Sequence, residues 1–120
     1  MAIIWISGNS NSGKTTLAKQ MQTKGVILLD GTELRRTWNE WDLSKQGRWD
    51  FNIKVANKAK ELEMGGYTVI VSTICPYRKL RDAVQDITNC SFIYLGGGKK
   101  HKDYLYEIDK NKFYFRKCIK

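Results

Sequence analysis

Short apolar segments recur along the chain, separated by stretches in which apolar residues fall at helical spacing. Residues 2–7 are almost continuously apolar, which is the pattern of a parallel strand covered on both faces. Residues 26–30, 67–72 and 91–95 show the same pattern. The sequence therefore predicts four short buried strands, and we expect the first of them to lie at the centre of a sheet.

The stretches between these strands predict helices. Apolar side chains recur there every three or four residues, as on the buried face of an amphipathic helix. The positions that carry this pattern are Leu17 and Met21, then Leu34 and Trp38, then Phe51, Val55, Ala59 and Leu62, and finally Leu80, Val84 and Ile87. Because parallel strands need crossover helices, the alternation predicts a three-layer α/β fold with a mostly parallel central sheet flanked by helices.

The length of 120 residues fits one domain, which we expect to cover residues 1–120. No apolar run approaches the roughly 20 residues that a membrane-spanning helix needs, and the first residues lack the basic and apolar regions of a signal peptide. We therefore expect a cytoplasmic protein. The three cysteines are widely spaced and accompanied by one histidine, which predicts neither a disulfide framework nor a structural zinc site.

A formal net charge of +9 favours anionic partners, among them nucleotides, sulfated or phosphorylated metabolites and nucleic acid. Much of this charge lies in the tail, residues 96–120, where basic and aromatic residues alternate near the end. That alternation favours a protected edge strand over a nucleic-acid contact. His101 lies among lysines in the tail and is interpreted as part of a solvated basic face.

A glycine-bounded loop joins the first strand to the first helix. Residues 8–15 read GNSNSGKT, a full match to the phosphate-binding loop pattern GxxxxGK(S/T), and predict a P-loop NTPase fold. Backbone N–H groups of such a loop and the following helix N-terminus point at phosphate oxygens. Lys14 then reaches the β- and γ-phosphates of ATP, and the Thr15 hydroxyl binds Mg²⁺. The predicted nucleotide-binding residues are Gly8, Asn9, Ser10, Asn11, Ser12, Gly13, Lys14, Thr15 and Thr16.

An acidic and a basic residue follow the second strand. Asp30 comes at its carboxyl end and Arg35 about one helical turn later, near the edge where ligands bind in open α/β sheets. A carboxylate can accept the proton of an attacking hydroxyl, and a guanidinium can hold an anionic group. We therefore interpret Lys14 and Asp30 as catalytic residues of a kinase. Asp30 is also well placed to cap the next helix, and the two roles are compatible.

The sequence resembles the adenylyl-sulfate kinase family from its first strand to its fourth. The resemblance is carried by GNSNSGKTT, LDGTELR, LSKQGRWDFNIK and VIVSTICPYRKLRD. It implies transfer of the γ-phosphoryl group of ATP to the 3′-hydroxyl of adenosine 5′-phosphosulfate, with Asp30 at that hydroxyl. The residues that the resemblance assigns to the acceptor are Arg35, Arg48 and Asn52 as ligands of its phosphosulfate and ribose, together with Ser72 and the backbone of Ile74 and Cys75.

Two alternatives remain open at this stage. The same fold could phosphorylate another small-molecule or polynucleotide hydroxyl. The resemblance also implies a basic lid after the fourth helix, which this sequence lacks in complete form, so the chain could bind ATP or nucleic acid without turnover. Among partners, a small anionic substrate is favoured over nucleic acid, no membrane is expected, and self-association into a homo-oligomer is left open.

A few conspicuous residues are better explained by packing or surface charge. Trp5 lies inside the first strand and is predicted to be core. Cys75 has no histidine nearby in sequence, so we interpret it as lining the pocket and not as a nucleophile. Arg78 and Arg81 follow Pro76 on the fourth helix, and the sequence does not decide between surface charges and contacts to ATP.

Overall fold

In the computed structural model, four parallel strands form one sheet in the order β2-β3-β1-β4. The structure describes residues 2–9, 13–96 and 106–107. The strands are β1 Ile3–Gly8, β2 Val26–Asp30, β3 Thr68–Thr73 and β4 Ser91–Leu95. The helices between them are α1 Lys14–Met21, α2 Gly31–Trp38, α3 Lys45–Met64 and α4 Arg78–Thr88. The predicted parallel α/β fold is confirmed, and β1 lies between two neighbours as expected.

Side chains alternate between the two faces of the sheet, as they must along a pleated strand. On one face Ile6 and Ile70 pack with Ala18 of α1. On the other face Trp5 and Val71 belong to a larger cluster that includes apolar residues of α3 and α4. Helices therefore cover both faces, which explains why the strands read as continuous apolar runs.

A buried hydrogen-bonded network ties the sheet to α3. Trp5 Nε1 donates to Thr73 Oγ1 at 2.9 Å, and Thr73 Oγ1 donates to Asn52 Oδ1 at 2.7 Å. Asn52 Nδ2 in turn donates to the carbonyl oxygens of Arg48 and Ile74. The prediction that Trp5 is core is confirmed, since its side chain is fully buried. Buried polar groups need such partners, so the network fixes the end of β3 relative to α3.

The carboxyl ends of the strands bring the predicted motifs to one edge of the sheet. β1 ends at Gly8 and leads into the phosphate-binding loop, while Asp30 ends β2 and caps α2. Asp30 pairs in register with Ser72 of β3, and Ser72 pairs with Ile6 of β1. The parallel sheet therefore places the nucleotide motif and the acceptor motif at the same edge, with the end of β3 between them.

Some sequence predictions lie outside the described residues. The edge strand proposed for the tail, the basic face around His101, and Cys118 all belong to this part of the chain. Among the helices that the structure describes, none is both long enough and apolar enough to cross a membrane.

Candidate active site

A cavity of about 610 Å³ opens at the carboxyl edge of the sheet. Ligands of open α/β sheets bind at this edge. Its wall combines the phosphate-binding loop, the start of α2, the segment before α3 and the end of β3. The lining residues are Gly13, Lys14, Thr15, Thr16, Asp30, Gly31, Thr32, Arg35, Trp41, Leu43, Arg48, Phe51, Ser72, Thr73 and Ile74.

Gly13 turns the phosphate-binding loop into α1. Its φ of 97° lies in the left-handed region, which glycine adopts without steric cost. The Gly13 carbonyl then accepts the first helical hydrogen bond, from Leu17 N at 2.9 Å. Gly13, Lys14 and Thr15 at this helix start line the cavity, and the first N–H groups of a helix are the groups that an anion site uses. Ser10, Asn11 and Ser12 lie outside the described residues.

The Lys14 ammonium group folds back over the start of the loop. Its Nζ donates to the carbonyl oxygen of Asn9 at 2.9 Å. Burial lowers the pKa of Lys14 to about 8, and the nearby negative charge of Asp30 opposes this shift. Phosphate groups bound at the loop would favour the charged form of this lysine.

Asp30 connects the nucleotide side of the cavity with α2. Its Oδ1 accepts a hydrogen bond from Thr15 Oγ1 at 2.9 Å, and its Oδ2 accepts one from Glu33 N at 3.3 Å. The second contact is a helix cap, as the sequence allowed. The side chain is nearly buried but lines the cavity. Capping and a role in the cavity therefore coexist in one carboxylate.

Ser72 contributes a second hydroxyl next to Asp30. Register pairing places the two residues on adjacent strands, and both line the cavity. Ser72 is 2% exposed, and among the described residues its Oγ has no hydrogen-bond partner. A buried hydroxyl without a partner is costly, so this oxygen is a strong candidate for contact with a ligand.

Arg35 and Arg48 supply positive charge to the cavity. Arg35 Nη1 donates to the Glu40 carbonyl at 3.0 Å, and its Cζ lies 4.0 Å from the centroid of the Phe51 ring. Arg48 Nε donates to the Leu43 carbonyl at 2.9 Å. Burial, and then the neighbouring charge of Arg48, lower the pKa of Arg35. Two guanidinium groups that repel each other in this way favour an anionic ligand between them.

Two predicted acceptor residues lie behind the cavity wall. Asn52 is completely buried, and its amide nitrogen holds the carbonyl oxygens of Arg48 and Ile74. Cys75 is also completely buried, and burial raises the pKa of its thiol. Neither residue is among those that line the cavity. Their contribution to acceptor binding stays a prediction, while the described contacts assign Asn52 a role in holding its neighbours.

The segment before α3 adds two apolar residues that sequence reasoning did not assign to the site. Trp41 and Leu43 line the cavity although they are 54% and 40% exposed. The sequence signals for them are their position between Arg35 and Arg48 and, for Leu43, its place at the start of the motif LSKQGRWDFNIK. Exposed apolar side chains at a cavity mouth are typical of a surface that a ligand covers.

The contacts of Arg81 fit neither interpretation of the sequence, which were a surface charge and a contact to ATP. Arg81 is 1% exposed, and its Nη1 donates to the Cys75 carbonyl at 2.7 Å. The surface-charge interpretation is therefore wrong for Arg81, because its guanidinium is used inside the protein. Arg78 is exposed, and its backbone N–H donates to Glu107 Oε1 at 2.8 Å. Neither arginine is among the residues that line the cavity.

Curated relatives match about two thirds of this chain. A cytidine diphosphoramidate kinase from Campylobacter jejuni is 38% identical over 86 residues, which cover 67% of this chain and 51% of that protein. A probable adenylyl-sulfate kinase from Archaeoglobus fulgidus is 40% identical over 87 residues, 67% of this chain and 56% of the relative. The chain thus spans about half the length of these relatives.

A solved structure and a family match agree with these relatives. The APS kinase of Mycobacterium tuberculosis in complex with AMPPNP and APS superposes with a TM-score of 0.67 at 25% identity, covering 78% of this chain and 60% of that one. Residues 1–97 match the family described as Adenylylsulphate kinase. On this match, which covers most of the sequence, the chain belongs to the adenylylsulphate kinase family and has its P-loop kinase fold.

Proposed function

We propose that this chain is an ATP-dependent kinase that phosphorylates the ribose 3′-hydroxyl of adenosine 5′-phosphosulfate. The proposal depends on the position of Asp30. This carboxylate accepts a hydrogen bond from the Thr15 hydroxyl and lines the same cavity as Arg35 and Arg48. A carboxylate so placed lies between a phosphate-binding loop and a pair of cationic side chains. The family match and the names of the relatives support this assignment.

The residues of the cavity divide into a donor side and an acceptor side. On the donor side, the N–H groups at the start of α1 and the Lys14 ammonium group bind the phosphates of ATP. On the acceptor side, Arg35 and Arg48 bind the anionic group of the second nucleotide. Asp30 then accepts the proton of the attacking hydroxyl as the new O–P bond forms and the bond to the leaving ADP breaks. Positioning and charge neutralisation supply most of the rate enhancement in phosphoryl transfer.

The oxygen atoms near Thr15 fit the needs of Mg²⁺. This ion prefers oxygen ligands and commonly shares them between protein and phosphate groups. Thr15 Oγ1 and the Asp30 carboxylate are already in contact, and the buried Ser72 hydroxyl has no partner among the described residues. Thr15 would hold the ion, with Asp30 and Ser72 close to its water shell. When bound, Mg²⁺ neutralises charge on the β- and γ-phosphates.

A second acceptor is favoured by one of the relatives. The kinase from Campylobacter jejuni is named for cytidine diphosphoramidate, and its identity to this chain is similar to that of the probable adenylyl-sulfate kinase. Both named acceptors carry a substituted phosphate, which Arg35 and Arg48 suit equally well. Recognition of the nucleobase of the acceptor must therefore distinguish them. Trp41 and Leu43 are exposed apolar residues that could contact this base at the cavity mouth.

An acceptor panel tests this proposal. ADP release from Mg-ATP is measured with adenosine 5′-phosphosulfate, cytidine diphosphoramidate, a sugar, a nucleoside and a 5′-hydroxyl oligonucleotide. We expect turnover with adenosine 5′-phosphosulfate above that of a Lys14→Ala control, which loses the cation at the phosphates. Preference for another acceptor would replace the substrate assignment, and nucleotide binding without turnover on any acceptor would favour a binding module. A cytoplasmic location, a single domain and a role in sulfate assimilation belong to the same proposal, while self-association into a homo-oligomer stays open.

A further inference from the structure

Two residues beyond β4 lie against the carboxyl edge of the sheet. Glu107 N donates to the Pro76 carbonyl at 2.7 Å, and Glu107 Oε1 accepts a hydrogen bond from Arg78 N at 2.8 Å. The Tyr106 hydroxyl is hydrogen-bonded to Ser7 Oγ, directly before the phosphate-binding loop. We call these two residues, 106–107, the strap. It contacts the residue before the phosphate-binding loop and the segment between β3 and α4.

Arg81 joins the strap to the loop between β3 and α4. Its Nη1 donates to the Cys75 carbonyl at 2.7 Å, and its Nη2 donates to the Glu107 carbonyl. The guanidinium carbon also lies 4.9 Å from the centroid of the Tyr106 ring. Hydrogen bonds from a charged donor are stronger than neutral ones, and this donor is almost completely buried. Arg81 therefore connects the strap to the loop inside the protein.

The loop at residues 74–76 is held at three successive carbonyl groups. Asn52 donates to the Ile74 carbonyl, Arg81 to that of Cys75, and the N–H of Glu107 to that of Pro76. Each peptide plane is fixed when its carbonyl is fixed, because the peptide unit is planar. Ile74 lines the cavity at the start of this loop. The strap supplies the last of the three contacts.

Glu107 also completes the N-terminus of α4. Tyr77 occupies the cap position, and its own side chain makes no capping hydrogen bond. The Glu107 carboxylate takes that place by accepting the N–H of Arg78. A negative charge at a helix N-terminus stabilises the first turn. A residue far along the chain thus supplies a side-chain cap to α4.

We propose that Tyr106 and Glu107 are positioning residues that hold the loop at 74–76 in the shape that binds the acceptor. This inference rests on the proposed function only for the identity of the acceptor. The strap acts through the loop and the start of α4, and neither of its residues lines the cavity. Loss of the Glu107 carboxylate should therefore loosen the loop and weaken acceptor binding, while nucleotide binding at α1 persists.

The test compares Glu107→Ala with Glu107→Gln in the full chain. The glutamine keeps an oxygen that can accept the N–H of Arg78, and the alanine does not. Amide hydrogen exchange is followed across residues 74–81, and the acceptor is titrated in the presence of ADP. Glu107→Ala should accelerate exchange there and weaken acceptor binding about fivefold, the effect of losing a typical cap. Glu107→Gln should restore most of the slow exchange and most of the acceptor affinity. The alanine and glutamine variants should both bind ADP like the wild type.

Several results would overturn the proposal. Unchanged exchange across residues 74–81 in Glu107→Ala would show that the Glu107 carboxylate does not hold the loop. Faster exchange with unchanged acceptor affinity would show that the loop's order is irrelevant to the acceptor. If Glu107→Ala fails to fold, Tyr106→Phe tests the other residue of the strap, because it removes the hydroxyl bonded to Ser7, whose Oγ donates to the Cys75 carbonyl at 3.5 Å. If the wild type binds no acceptor, the proposed function fails, whereas the exchange comparison still decides whether Glu107 holds the loop.

Discussion

Asp30 combines a structural and a chemical position in one side chain. One carboxylate oxygen caps α2 and the other accepts the hydroxyl of Thr15. The sequence allowed both roles because Asp30 ends a strand and precedes a helix. What the sequence could not supply was the contact with Thr15, since it depends on the packing of α1 beside β2. That contact links the proposed proton acceptor to the proposed Mg²⁺ ligand.

Replacing Asp30 with Asn separates these roles. Asn has the same shape, can cap a helix and can accept the Thr15 hydroxyl, but it cannot take up a proton at neutral pH. We expect kcat to fall by about 10²- to 10⁴-fold, with Mg-ADP affinity nearly unchanged. Steady-state kinetics and calorimetric titration measure the two quantities. A collapse of Mg-ADP binding with retained turnover per bound enzyme would instead place Asp30 on the metal.

The lowered pKa of Lys14 predicts that the free energy of unfolding depends on pH. Burial lowers its pKa to about 8 in the folded protein from an ordinary value of 10.5. Between these two values the unfolded chain binds more protons, so the free energy of unfolding should rise with pH, by up to about 3 kcal/mol. A Lys14→Met variant should lack this rise, and below about pH 8 it should be more stable than the wild type. Denaturant unfolding at several pH values tests the difference, and parallel profiles for both proteins would contradict it.

At the scale of elements, the segment 40–43 between α2 and α3 holds both arginines that line the cavity. The carbonyl groups of Glu40 and Leu43 hold Arg35 and Arg48, respectively. Gly47, in the first turn of α3, leaves room for this segment. A Cβ atom on Gly47 would lie 2.3 Å from the Asp42 carbonyl oxygen and 2.4 Å from Asp42 Cγ. Glycine is required here by close approach, since any other side chain would displace the segment.

Gly47→Ala tests this arrangement. Alanine in a helix normally stabilises a protein by roughly 0.5–1 kcal/mol relative to glycine. Here we expect destabilisation of about 1–3 kcal/mol, because Asp42 must move, together with weaker acceptor binding and intact ADP binding. The matched control is Gln46→Ala, an exposed position in the same turn that contacts only Asp50 among the described hydrogen bonds. Stabilisation by Gly47→Ala with unchanged acceptor affinity would refute the role of this segment.

The elements themselves were largely predictable, and the reason is periodicity. The bounds of β2 and β4 agree with the apolar runs, and β3, expected at 67–72, lies at Thr68–Thr73. The first turn of α3 carries no regular apolar pattern, so periodicity alone would begin that helix near Phe51. Its real start is marked by Ser44, whose hydroxyl accepts Gly47 N at 3.1 Å. Caps locate helix ends that periodicity misses.

At the scale of the whole molecule, the proposed active site depends on contacts between distant parts of the chain. The sheet order brings Asp30 and Ser72 together, and Tyr106 reaches back to Ser7. No local sequence pattern specifies such pairs, because propensity and periodicity describe only neighbouring residues. This is why the sequence predicted the loop at 8–15 and Arg35, yet not the buried role of Arg81 or the strap.

The central claim is that γ-phosphoryl transfer to a ribose hydroxyl takes place in this cavity. The most direct measurement uses γ-labelled ATP with Mg²⁺ and adenosine 5′-phosphosulfate, followed by identification of the labelled product. We predict that the label appears on the 3′-hydroxyl of the acceptor in the wild type, and that Lys14→Ala and Asp30→Asn form far less product. Label found only in inorganic phosphate, or transfer that survives both substitutions, would contradict the claim.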